Sequence, residues 1–361
     1  MKTKNVKFDS FLGVSSSNGF YGYFQLLEND PDLHLYLLKS GPGCGKSSLM
    51  KEIASTAFDN KQTVELIHCS SDPESLDGVI IWDKKIAILD ATSPHTVEPN
   101  IPGMMQEVVS LYHTINKEKL NINKKDLIYQ AKRYKYYHKQ SGYSLVNAAN
   151  LLRDNLRTAS IFYNDDKISN YAKNLAKEII TVKDDCFIGH KYSRFLSAIT
   201  PRGIIFFDDS LRALAEQIFI IEDEYGVCSN TILKTICNYA INAGNDVFCC
   251  GCPLLPEEKI DFLIIPDLSL AFVTSNSWHK SNFPKQNVIN YQDFIDKELF
   301  DQVQSQLEFN QGIAKQIAEQ SIKLQQQAMK SHDKMEEYYK PAVDFDGVNK
   351  IRQNLLKEIF G

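Results

Sequence analysis

The chain has 361 residues, 43% hydrophobic and 24% charged, with a formal net charge of −5. This composition suits a globular protein of two or three domains with substantial cores, and it excludes a disordered or collagen-like chain. The mild acidity provides no general basic surface, so nucleic acid is not an expected partner. No apolar run nears the roughly 20 residues that span a bilayer, and the opening MKTKNVKFDS lacks the apolar core of a signal peptide. The expectation is a cytoplasmic protein without a membrane partner, leaving open a protein partner or a homo-oligomer.

Phe20 to Leu27 reads as a short amphipathic stretch, and residues 34–39 as an apolar strand. The segment LYLLKSGPGCGKSSLMKEI, residues 35–53, then runs strand, Gly-rich turn, Lys-Ser and helix. That is the order a phosphate-binding P-loop requires. Ser40 stands where the strict pattern has glycine, at the position that opens the turn. Gly41, Gly43 and Gly45 let the backbone curl so that its N–H groups face phosphate oxygens. The following helix, near 46–57, offers its positive N-terminus to the same anion. Gly41, Pro42, Gly43, Cys44, Gly45, Lys46, Ser47 and Ser48 are the candidate nucleotide-binding residues. Lys46 is expected to reach the β- and γ-phosphates, and the Ser47 hydroxyl to ligate Mg2+.

Val64 to Cys69 reads as a second strand, and Pro73 to Val79 as a helical turn with Ser/Asp start signals. A third strand, Ile86 to Leu89, ends at Asp90. A carboxylate at the end of a core strand beside a P-loop can hold the Mg2+ shell, so Asp90 joins Ser47 as a candidate metal ligand. Many P-loop ATPases place a glutamate after this aspartate to activate water, but here Ala91 follows. A general base must come from elsewhere, and His68, Asp72, Asp77 and His95 fall on loops at the sheet edge where ligands bind. Val108 to Tyr112 reads as a fourth strand. Apolar strands alternating with helices predict a parallel α/β sheet covered on both faces.

Lys124 to Val182 reads as two helices broken near Asn164-Asp165-Asp166. Asn123-Lys124-Lys125-Asp126 spells a guanine-reading pattern, but it lies in a polar segment with no buried strand before it. Residues 132–143, KRYKYYHKQSGY, interleave basic and aromatic side chains as some single-strand binders do. A solvated helix with its tyrosines packed on a partner helix is the expected reading there.

The second half repeats the first. Residues 218–236, IFIIEDEYGVCSNTILKTI, match 35–53 at an offset of 183. Phe195-Leu196 match Phe11-Leu12 at 184, VFCCGC at 247–252 matches VELIHC at 64–69, and NLLKEI at 354–359 matches NLAKEI at 174–179. A repeat of about 180 residues is a duplicated domain, beyond the ~50-residue periods of solenoids. At this offset Ser229 replaces Lys46, Cys228 replaces Gly45, Thr274 replaces Asp90, and Asp223 and Glu224 add negative charge. His68 and Asp72 are also lost, as Gly251 and Leu255, whereas Asp77 and His95 persist as Asp261 and His279. Loss alongside the lysine makes His68 and Asp72 the catalytic candidates, with Lys46 and Asp90. Cys249-Cys250-Gly251-Cys252 looks like a metal clip but occupies a core strand, where thiols are ordinary buried residues. The second helical stretch, 295–361, is broken near Pro341 to Gly347. The expected organisation is two tandem P-loop NTPase domains, 1–120 and 186–294, each followed by a helical hairpin, 121–185 and 295–361.

SGPGCGKSSLMKEI, IHCSSDPESLDGVII, AILDATSPH, the Pro102-Gly103 turn and FLSAITPRG together make the chain resemble an uncharacterised family of bacterial tandem P-loop ATPases. The resemblance covers nearly the whole chain. It implies ATP binding at Gly41 to Ser48, two P-loop units and interleaved helices; Glu224 to Thr231 depart from the family's often intact second loop. The leading expectation is a Mg2+-dependent ATPase with one working site and a regulatory pseudo-site. A small-molecule kinase and a non-hydrolysing nucleotide sensor are the alternatives.

Overall fold

The computed structural model describes residues 5–183 and 188–361. The first unit carries, in chain order, β1 (Lys7–Phe11), a hairpin of β2 (Gly13–Ser16) and β3 (Gly19–Gly22), α1 (Phe24–Glu28), β4 (His34–Lys39), α2 (Lys46–Asp59), β5 (Val64–His68), β6 (Leu76–Ile81), β7 (Ile86–Asp90) and β8 (Gln106–Ser110). After α3 (Lys117–Ile122) come the long α4 (Lys124–Ala159) and α5 (Asp165–Ile179). The second unit has β9 (Lys191–Arg194), β10 (Ser197–Thr200), β11 (Gly203–Phe206), α6 (Asp208–Leu214), β12 (Gln217–Glu222), α7 (Val227–Asn242), β13 (Val247–Gly251), β14 (Ile260–Ile265), β15 (Leu270–Ser275) and β16 (Asn287–Asn290). The chain ends with α8 (Lys297–Tyr339) and α9 (Phe345–Phe360).

Two six-stranded sheets have the same strand order, β1-β5-β6-β7-β4-β8 and β9-β13-β14-β15-β12-β16. The sheets are mixed, not wholly parallel: β6 and β14 each run antiparallel to both neighbours. The segment expected as a helical turn, Pro73 to Val79, is largely β6, all six residues of which are buried. Only residues 69–75 separate β5 from β6. A parallel crossover needs a dozen or more residues, so so short a link forces an antiparallel return.

The helices depart from the expected hairpins. α4 and α8 pair with each other as an antiparallel couple, Ser141 Oγ lying 2.7 Å from Ser321 Oγ and Asn155 Nδ2 donating to the Leu307 carbonyl at 3.0 Å. At 36 residues α4 is one unbroken rod, about 54 Å long. The shorter helices then cross over. α5 buries Ile168, Ala172 and Ala176 against Ile232, Leu233 and Ile236 of α7, in the second unit. α9 buries Leu355 and Ile359 with Leu49, Ile53 and Tyr36 of the first. Each half therefore completes the core of the other.

The sheets also meet directly. Phe11 and Phe195 exchange backbone hydrogen bonds at 2.8 and 2.9 Å. Beside them Arg194 grips the buried Glu65 bidentately, at 2.6 and 3.1 Å, and Ser10 Oγ donates to the same carboxylate at 2.6 Å. No helix among the described residues is long and apolar enough to cross a membrane.

Candidate functional site

The turn Ser40 to Gly45 links the end of β4 to the start of α2. Gly43 (φ 65°) and Gly45 (φ 86°) hold left-handed backbone, which a side chain disfavours and which rolls the chain into a cup at the helix N-terminus. A Cβ on Gly41 would lie 2.4 Å from the Tyr339 ring, so the end of α8 packs directly on the loop. Lys46 Nζ donates to the Gly41 carbonyl at 2.8 Å and lies 3.5 Å from Asp90 Oδ2. Asp90 ends β7, the strand paired with β4, which brings lysine and carboxylate together. Thr92 fixes that carboxylate, its N–H and hydroxyl donating to Oδ1 at 3.0 and 2.6 Å. The Ser47 hydroxyl oxygen accepts the Leu76 N–H at 3.0 Å, which ties α2 to β6.

Pro42 to Ser48, Asp72, Asp77, Asp90 and His95 face a cavity of about 990 Å³, closed on its far side by Leu127 and Tyr134 of α4 and by Met329, His332 and Glu336 of α8. Among the described residues no group of three or more His, Cys, Asp or Glu side chains could hold a metal by itself. A divalent ion here would rest on Ser47, Asp90 and ligand oxygens, an arrangement that suits Mg2+.

Of the other residues singled out in the sequence, Asp72 lines the cavity and accepts the Ser75 hydroxyl at 2.5 Å. His68 does not line it. Its Nε2 lies 2.8 Å from Asp9 Oδ1, its Nδ1 2.8 Å from the Pro73 carbonyl, and its ring packs on Phe207. Both nitrogens are engaged, so His68 is a strut between β1 and β5. Its absence from the second unit tracks its partner: Ser193 stands at Asp9 plus 184, as Gly251 stands near His68 plus 183.

The pair passed over in the sequence, Asp77 and His95, lies buried at the cavity wall with Nε2 3.3 Å from Oδ2. Burial pushes the Asp77 carboxyl up to about 6, with His95 and Lys46 opposing and Asp90 adding to the rise. A carboxyl in that range can exchange a proton near neutral pH.

The corresponding place in the second unit is closed. β12 ends at Glu222 and α7 starts at Val227, so four residues, 223–226, replace the six of 40–45. Gly226 (φ 84°) thus holds the place of Gly45, and Val227, not Ser229, that of Lys46. Two extra residues in α7 restore the offset by β13. Buried Asp223 fills the helix N-terminus with its own carboxylate: Tyr225, Gly226 and Ser229 donate backbone N–H at 3.2, 3.0 and 2.7 Å, and Tyr163 OH donates at 2.8 Å. Lys259 runs along Gly226 and pairs with Asp261 at 2.8 Å. Leu254, Leu255 and Trp278 line the cavity that remains there, of about 40 Å³. No family model matches the chain, and no curated protein or solved structure is significantly similar to it.

Proposed function

We propose that the first unit is a P-loop site that binds ATP with Mg2+ and hydrolyses it, and that the second unit is a duplicate whose site has closed. The carrying observation is the convergence of the left-handed glycine turn, the α2 N-terminus, Lys46 and Asp90 on one cavity. The identical strand order of the two sheets supports duplication. Loop N–H groups and the helix end would hold the phosphates, with Lys46 exchanging the Gly41 carbonyl for phosphate oxygens. Ser47 and Asp90 would hold Mg2+, which when bound offsets phosphate charge. With Ala91 unable to take a proton, Asp77 is the carboxyl assigned to receive one from attacking water.

One observation favours a sensor as the second reading. Tyr339 and Glu336 of α8 rest on Gly41 and Gly43, so loop occupancy would be felt by a 43-residue helix. Phosphate release by purified protein separates the two. Mg2+-dependent turnover supports the hydrolase, binding without release leaves the sensor, and no ATP binding contradicts both.

A further inference from the structure

We propose that the outer face of α4 binds a single strand of nucleic acid. At 100° per residue, Tyr129, Lys132, Arg133, Tyr136, Lys139 and Tyr143 fall within an arc of about 120°. The three tyrosines are 55%, 59% and 53% exposed, so they do not pack on α8 as the sequence led one to expect. Instead two of them stand beside cations of their own helix, and Tyr136 stands beside the ring of Tyr137. Arg133 lies 5.6 Å from the Tyr129 ring and Lys139 5.6 Å from the Tyr143 ring. Between Lys124 and Arg153 the only acid is Asp126. On the adjoining end of α8, Glu336 and Glu337 are paired with Lys340 and Lys334, and Asp333 lies beside His332. The net acidity of the chain therefore conceals a local cationic stripe.

Exposed tyrosine rings alternating with cations suit unpaired bases, which stack on aromatic faces while phosphates meet lysine and arginine. A duplex would use the charge and leave the rings idle. From Tyr129 to Tyr143 the stripe runs about 21 Å, the length of about six stacked bases. The inner face of the same helix supplies Leu127 and Tyr134 to the large cavity, so a strand and a nucleotide would share one rod.

The test is fluorescence anisotropy with the full chain and a labelled 12-nucleotide oligo-dT, without ATP. Competitors are a 12-base-pair duplex, heparin, and vesicles of phosphatidylcholine and phosphatidylglycerol. The single strand should bind best. Tyr136→Ala should weaken it about tenfold, while Tyr129→Phe, Tyr136→Phe and Tyr143→Phe combined should retain binding. Lys132→Gln with Lys139→Gln should reduce the log–log salt slope by about 1.4. Circular dichroism confirms that each variant remains helical. No binding, equal or better binding of duplex, heparin or vesicles, or indifference to loss of the rings overturns the proposal.

Discussion

Lys46 and Asp90 occupy the same cavity wall, yet they should fail differently when altered. Asp90 is held by Thr92 and lies 3.5 Å from Lys46, so its charge acts on whatever cation sits there. Asp90→Asn should leave ATP affinity without metal nearly unchanged and abolish the gain from Mg2+; calorimetry in EDTA against Mg2+ measures this. Wild-type metal dependence in the variant would reduce Asp90 to a strand-ending turn residue. Burial makes the Asp77 carboxylate costly when charged. Its folded value is about 6 against an ordinary 3.8, so the folded chain keeps a proton over a range where the unfolded chain has lost it. This contribution favours the folded state most below about pH 4 and is lost as pH rises to 6, where the buried charge costs about 3 kcal/mol. Asp77→Asn should therefore be more stable than wild type at pH 7.5, with the gain shrinking towards pH 4, and should lose phosphate release. Urea unfolding at both pH values checks the first part, and a variant no more stable at pH 7.5 contradicts it. The strand, turn and helix around Lys46 and Ser47 and the strand that ends at Asp90 were legible in the sequence, because neighbouring residues set their local context. His68 was not, because Asp9, which holds it, lies 59 positions away.

At the scale of elements, the two strand-to-helix turns differ in length, with six residues at 40–45 and four at 223–226. Both sequences run strand, turn, helix, but a constant offset of 183 hides a second turn two residues shorter and a helix that starts two residues earlier. The structure puts Gly226 at the cap and Asp223 in the cup. Its carboxylate accepts three backbone N–H groups and one hydroxyl, so the unit carries its own anion at the helix N-terminus. Asp223→Ala strips four buried donors of their acceptor at once. It should cost at least about 2 kcal/mol, read from the urea midpoint, and inorganic phosphate should restore part of the loss. A neutral effect would mean that the carboxylate is not what holds the turn. Strand β6 was missed because its start signals resemble those of a helix, and only the short link to β5 reveals the antiparallel return.

The whole molecule is tied together by exchange. α5 of the first half and α9 of the second cover each other's sheets, α4 and α8 pair along their length, and Glu65 and Arg194 join the sheets through a buried ion pair. The two α/β units were legible. The crossing was not, since equivalent helices have equivalent apolar faces and nothing local tells α5 which unit it covers. Removing one partner of a buried pair leaves the other charge stranded, at about 3–5 kcal/mol. Glu65→Ala should therefore destabilise both units together, seen as one cooperative calorimetric transition at lower temperature. Two separated transitions, one unshifted, would show that the units fold independently.

The proposal of one working P-loop site, in the first unit, is tested most directly by calorimetric titration of Mg·ATP into the intact chain and its Lys46→Ala variant. The account predicts one ATP per chain, and a loss of about 100-fold or more in the variant, since charge-assisted contacts are worth about 1.5–3 kcal/mol each. Two ATP per chain, or undiminished affinity without Lys46, would contradict it.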